Sequence, residues 1–245
     1  MVEGVGVVGR GLTARGPAGS VFENIDLRVH PGELAVVAGA SGTGRTCMLL
    51  ALSGRLQLVA GLLKVAGLRL PRRARTARKL ITPARLRPGA DLEPEHEVRQ
   101  VVRERRWISG VRQDAVVDAF ELVGLDPRPS VLVGEMHPAD RLLLSVALAA
   151  ATRSGGLVVD DVDAGLQPRH LERAWAALRA VARTGTTVLA SATEPPQDCD
   201  AVVDLPHPQE PEVAPQPVDD PDAPTVEFAP QTRPIQLPES GEDAG

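Results

Sequence analysis

Residues 39–46 read Gly39-Ala40-Ser41-Gly42-Thr43-Gly44-Arg45-Thr46. They sit one residue away from the phosphate-binding loop pattern G-x-x-x-x-G-K-[ST]. Gly39, Gly44 and the hydroxyl of Thr46 match it, while Arg45 stands where the pattern has lysine. Glycines let the backbone turn tightly, so consecutive N–H groups point inward as an anion nest. A helix that follows adds its N-terminal partial positive charge beneath the phosphates. Arginine keeps the lysine's charge but is longer, planar and forked, so it does not replace a point-charge ammonium neutrally.

The neighbouring sequence supplies the setting such a loop needs. Upstream, a turn at Gly32-Glu33 leads into the short apolar run Leu34-Ala35-Val36-Val37-Ala38, which reads as a strand. Downstream, Cys47-Met48-Leu49-Leu50-Ala51-Leu52 reads as a buried helix that opens after the loop. Further along, Gly156-Leu157-Val158-Val159-Asp160-Asp161 is an apolar strand ending in acids. A carboxylate at such a strand end positions Mg²⁺ beside a phosphate loop. Thr46 and Asp160 are therefore the candidate metal-side pair, and Asp161 stands where a catalytic base belongs.

Composition bounds the rest. At 245 residues the chain is long enough for one sizeable core and a small subdomain. Aliphatic residues carry that core, because there are three Phe, two Trp and no Tyr. Cys47 and Cys199 form neither a disulfide framework nor a metal cluster, which points to a reducing, cytoplasmic compartment. No apolar run approaches the roughly 18 residues of a membrane span, and no secretory signal follows Met1. A membrane link is therefore expected only through a partner.

Charge is uneven along the chain. Residues 208–245 hold nine acids and one arginine, a net of −8 within a total of −5. With its Pro, Asp, Glu and Gln content, the stretch from residue 207 is expected to be a disordered, solvated tail. The Arg72-Arg73-Ala74-Arg75 cluster reads as a solvated loop, because no aromatic stacking residue interleaves it, and nucleic acid is not an expected partner. The five histidines form no cluster in the sequence. Cys47 reads as a small buried hydrophobe, His137 as a solvated loop residue, and Trp175 as packing on a helix.

The order of these segments resembles the nucleotide-binding domain of ABC transporters across roughly residues 1–206. Val21-Phe22-Glu23-Asn24-Ile25-Asp26-Leu27 through Gly32-Glu33 looks like the hairpin that precedes the family's phosphate loop. Leu52-Ser53-Gly54, Val65-Ala66-Gly67 and Phe120-Glu121-Leu122-Val123-Gly124-Leu125 resemble later family stretches. Asp160-Asp161-Val162-Asp163-Ala164-Gly165-Leu166-Gln167 is similar to the family's D-E-P-x-x-x-L-D segment. The resemblance implies an α/β fold of the P-loop NTPase type, with a central, mostly parallel sheet. An antiparallel β portion is expected near 1–37 and 58–70, and a helical subdomain near 91–150.

The departures from the family pattern bear on chemistry. Its L-S-G-G-Q signature falls on Met136-His137-Pro138-Ala139-Asp140, where the serine and both glycines are gone. Pro138 lacks an N–H, and Asp140 adds a negative charge. The catalytic glutamate is Asp161, one methylene shorter, and general-base catalysis depends first on geometry. Thr193 occupies the switch-histidine position and Gln167 the D-loop aspartate position. No aromatic lies near Gly16 to stack on adenine, and residues 81–85 offer no Q-loop glutamine.

The resemblance thus implies an ATP-binding subunit of an ABC-type transporter that binds ATP and Mg²⁺, with weak or absent intrinsic hydrolysis. Its implied partners are a membrane-spanning transporter subunit and a second cassette, as homodimer or heterodimer. Its implied place is cytoplasmic, peripheral at the inner face of the membrane. A non-catalytic scaffold retaining the fold is the alternative. A small-molecule kinase, with arginines of 72–86 in a lid, fits the segment order less well.

Overall fold

The computed structural model describes residues 3–17, 19–86 and 89–206. The expected tail from residue 207 lies outside them, as does the second unit of the chain, Gln209–Gly245.

Strand β1 (Val7–Gly16) and strand β2 (Gly19–Val29) form an antiparallel hairpin in which Val7 faces Val29. Strand β3 (Leu34–Ala38) leads into the phosphate loop, and helix α1 (Arg45–Leu52) leaves it. Strands β4 (Ala60–Val65) and β5 (Leu68–Leu70) then return to the hairpin, giving one antiparallel sheet of order β2-β1-β4-β5. The expected antiparallel portion is therefore present, but its first stretch ends at Val29 rather than near residue 37, because β3 belongs to the other sheet.

Helix α2 (Ala74–Leu80) runs directly into strand β6 (Ile81–Arg85). The arginine cluster read as a loop thus overlaps a helix, which suits its Ala, Arg and Lys content. Three helices occupy the expected helical region: α3 (Val98–Ser109), α4 (Gln113–Val123) and α5 (Pro138–Ala150). A capping box opens α3, with Gln100 Oε1 accepting the Glu97 N–H at 2.7 Å. Left-handed glycines, Gly110 and Gly124, close α3 and α4. Strand β7 (Gly156–Val159), helix α6 (Pro168–Arg183), and strands β8 (Thr187–Ala192) and β9 (Ala201–Asp204) complete the fold.

The second sheet is parallel throughout, in the order β6-β7-β8-β3-β9. Its central strands β7 and β3 are apolar runs and β8 is mostly apolar, with Thr187 and Ser191 near its ends, because both faces are covered. In β3, Leu34 and Val36 point into one core with α5 and α6, while Ala35 and Val37 point into another with α1 and the antiparallel sheet. Leu157 and Val159 against Val158 in β7, and Val188 and Ala190 against Leu189 in β8, repeat that alternation. Leu142, Leu143, Leu144 and Leu148 of α5 are fully buried on the first core. Each contributes about 1.5–3 kcal/mol of burial. Trp175 is buried on α6 as the sequence suggests. No helix among the described residues is long and apolar enough to cross a membrane.

Candidate functional site

The strands β3, β7 and β8 end along one edge of the parallel sheet, and their following loops meet there. In α/β folds that carboxyl edge is where ligands sit. The phosphate loop follows β3, Asp160 and Asp161 follow β7, Thr193 follows β8, and Arg85 ends β6.

Sterics hold the loop in shape. A Cβ on Gly39 would stand 2.7 Å from Thr43 Oγ1 and 2.8 Å from the Leu205 carbonyl oxygen. Gly44 is the N-cap of α1 at φ 91°, and a Cβ there would run into Val21 of β2. Both positions exclude larger residues. Thr43 is fully buried and its hydroxyl donates to the Ala40 carbonyl at 2.9 Å, which pins the turn from inside.

The candidate metal pair is brought together. Thr46 Oγ1 donates to Asp160 Oδ2 across 2.7 Å, and Ser191 Oγ donates to Asp160 Oδ1 across 2.5 Å. Asp160 is 3 % exposed, so its carboxylate is held in place by two hydroxyls. A hydroxyl and a carboxylate oxygen beside a phosphate nest are hard oxygen donors of the kind Mg²⁺ takes together with substrate phosphates. The residues present therefore fit that ion.

Arg45 turns its guanidinium inward. Its Nη1 donates to the Gly39 carbonyl at 3.0 Å and to Thr193 Oγ1 at 3.2 Å, and its Nη2 pairs with Asp161 Oδ1 at 2.8 Å. Asp161 adopts a left-handed backbone, φ 51°, and its N–H donates to Ser191 Oγ at 2.9 Å. Burial and the neighbouring Asp160 push the Asp161 carboxyl above the ordinary carboxylate value, against the pull of Arg45 and Arg85. Arg85 donates through Nε and Nη2 to the Asp160 carbonyl, at 2.9 and 2.7 Å, and through Nη2 to the Asp161 carbonyl.

The signature-position segment lies apart, at the start of α5. His137 is the N-cap, its Nδ1 accepting the Ala139 N–H at 3.2 Å, and Pro138 occupies the first turn. Asp140 is tied to Arg173 at 2.6 Å. His137 also meets His170 of α6 edge to face, with ring centroids 4.1 Å apart. Two histidines far apart in sequence are thus neighbours, and His137 is a capping residue as well as an exposed one. Cys47 is half-buried rather than fully buried, and burial with Asp160 nearby raises its thiol.

The family model for the ABC transporter matches residues 22–164, more than half of the chain. The chain belongs to this family. Among its relatives is the Nod factor export ATP-binding protein I of Cupriavidus metallidurans, 28 % identical over 174 residues, covering 69 % of this chain and 56 % of that protein. The corresponding protein of Rhizobium etli is 30 % identical over 175 residues, covering 69 % and 54 %. This ABC-family chain thus spans just over half the length of these relatives. A putative ABC transporter ATP-binding protein of Pyrococcus furiosus shares the fold, with a TM-score of 0.69 at 18 % identity over 82 % of this chain and 97 % of that one. So does cbiO1 of Clostridium perfringens, described as part of the ABC transporter complex cbiONQ, at 0.70 and 17 % over 81 % and 84 %. At those identities the likeness concerns fold alone.

Two members of this ABC-family site escape the sequence reading. Arg85 ends β6, in residues 81–85 where the family pattern has a glutamine, and the arginine at the strand end is itself the signal. Ser191 is fully buried between Ala190 and Ala192 at the carboxyl end of β8, and a hydroxyl at that strand end, two residues before Thr193, is the clue.

Proposed function

We propose that this chain is an ATP-binding subunit of an ABC-type transporter, with weak or absent intrinsic hydrolysis. The reading is carried by one observation: the Thr46 hydroxyl and the Asp160 carboxylate meet at 2.7 Å beside the phosphate loop. Backbone N–H groups of residues 39–46 cradle the phosphates, the start of α1 adds its dipole, and Arg45 supplies a fixed positive charge. Thr46 and Asp160 hold Mg²⁺, which when bound neutralises charge on the phosphate oxygens.

Hydrolysis is weak for reasons that rest on this chain's own residues. Asp161 is one methylene shorter than the family's glutamate and its carboxylate is engaged by Arg45. Thr193 brings no imidazole. Pro138 lacks an N–H and the Ala139 N–H is taken by His137 Nδ1, so a facing subunit is denied N–H groups of an intact signature. Losing one well-placed transition-state donor costs about a hundredfold in rate, and several are lost together.

The partners follow from the same reading. A membrane-spanning subunit anchors the protein at the inner face of the membrane, and a second cassette faces its phosphate loop. A scaffold role is favoured by the α5 start, where Met136, His137, Pro138, Ala139 and Asp140 keep neither the serine nor the glycines.

Calorimetric titration of ATP with and without Mg²⁺, repeated on Arg45→Ala, tests the reading. Mg²⁺-dependent binding that Arg45→Ala weakens is the expected result. No binding at millimolar ATP by the folded protein would remove the nucleotide role and leave the scaffold.

A further inference from the structure

The Arg45 side chain is 11 % exposed and joins three loops: the phosphate loop through Gly39, the β7 loop through Asp161, and the β8 loop through Thr193. Two of these contacts are reinforced. Thr193 is held by its N–H on Asp163 Oδ2 at 2.7 Å. The backbone of Asp161 is held by Arg85 and by Ser191. The two substitutions that look independent in the sequence are complementary in length. A longer cation meets a shorter anion, and the pair closes at 2.8 Å.

We propose that the Arg45–Asp161 ion pair makes this site prefer a nucleoside diphosphate to a nucleoside triphosphate. This rests on nucleotide binding at residues 39–46 as set out above. In a phosphate loop the backbone nest cradles the α- and β-phosphates and the charged side chain at position 45 reaches the β- and γ-phosphates, so the γ-phosphate alone lies outside the nest. The outermost phosphate is therefore the one that competes with Asp161 for Arg45. If it takes the guanidinium, the Asp161 carboxylate loses its 2.8 Å ion pair and faces the phosphate with Asp160 beside it. Removing one partner of a charged hydrogen bond leaves the other uncompensated, and like charges at short range repel. A diphosphate ends on the nest, and the pair stays closed above it. The three-loop bridge then survives diphosphate binding and is broken by triphosphate.

Both substitutions can be tested on the full chain. ADP and ATP, each with Mg²⁺, are titrated calorimetrically into the wild type, Asp161→Asn and Arg45→Lys, with thermal melts recording that each is folded. Asparagine tolerates the left-handed backbone at position 161, and lysine keeps the charge at position 45 without the fork. The wild type is expected to bind ADP about tenfold more tightly than ATP, the range lost with one charged hydrogen bond. Both variants are expected to bring that ratio close to one. Wild-type protein that binds ATP as tightly as ADP, or more so, would overturn the preference while leaving nucleotide binding intact. A ratio unchanged in both variants would remove the ion pair as its cause. Binding of neither nucleotide to folded wild type would overturn the nucleotide reading itself, and this inference with it.

Discussion

Ser191 Oγ donates to Asp160 Oδ1 across 2.5 Å and accepts the Asp161 N–H at 2.9 Å. One hydroxyl on β8 therefore orients both acids that follow β7. It fixes the carboxylate of the first and the backbone of the second. Parallel pairing makes this possible, because Val159 is in register with Ala190, one residue before Ser191.

Ser191→Ala removes that link without changing the apolar character of the strand. One oxygen of a buried carboxylate and one backbone N–H then lose their partner. The expected cost is about 1–3 kcal/mol, seen as a lower urea midpoint at unchanged slope. A midpoint equal to that of the wild type would show that the hydroxyl does not hold the acids.

Thr46→Val keeps the shape of the side chain and deletes its hydroxyl. The Asp160 oxygen 2.7 Å away keeps its charge but loses a donor. Nucleotide affinity measured with Mg²⁺ is expected to fall towards the value measured without it, because the metal loses a ligand. An unchanged ratio of the two affinities would remove Thr46 from the metal site.

The parts of this fold that were legible in the sequence are those written in local patterns. The run Leu34 to Ala38, the glycines after it and the apolar stretch Met48 to Leu52 specify strand, loop and helix through neighbours alone. The run Gly156 to Val159 is legible for the same reason. What was not legible depends on chain segments meeting. Arg85 reads as another arginine until β6 lies beside β7 and its fork reaches two carbonyls. His137 and His170 are separated by the whole of α5 and β7, and only packing of α5 against α6 joins them. The Arg45–Asp161 pair lay between the two: each residue stood out as a departure, but their contact needed the sheet order β7-β8-β3.

The histidine pair makes acid sensitivity testable. One ring nitrogen of His170, Nδ1, is buried without a partner among the described residues, and Arg169 donates to the other at 3.1 Å. Burial first, then His137 and Arg169, push its imidazole below the ordinary value, while Asp140 pulls the other way. The folded chain therefore binds fewer protons here than the unfolded chain between the two values. Stability from this group is complete above the unfolded value of about 6.5 and falls as pH drops below it. The melting temperature is expected to decline from pH 7.5 to 5.5, and His170→Gln to decline less over the same window. Parallel curves for the two proteins would rule the group out.

Two glycines of the phosphate loop separate backbone cost from packing cost. Gly42 at φ 85° and Gly44 at φ 91° share a left-handed backbone. A Cβ on Gly42 meets nothing within 4 Å, whereas one on Gly44 meets Val21 of β2 and stands 3.3 Å from a ring carbon of Phe22. Gly42→Ala should thus carry only the left-handed penalty, about 1–2 kcal/mol. Gly44→Ala carries the same penalty and must also displace Val21, which lies between the Ala14–Phe22 and Arg15–Ser20 pairings of β2 with β1. Overpacking of this kind adds about 1–3 kcal/mol. Urea denaturation is expected to place Gly44→Ala below Gly42→Ala by at least about 1 kcal/mol, the lower bound of that overpacking term. Equal midpoints would mean that β2 yields freely, and that the loop is held by its own turn and the Thr43 hydroxyl rather than by the sheet above it.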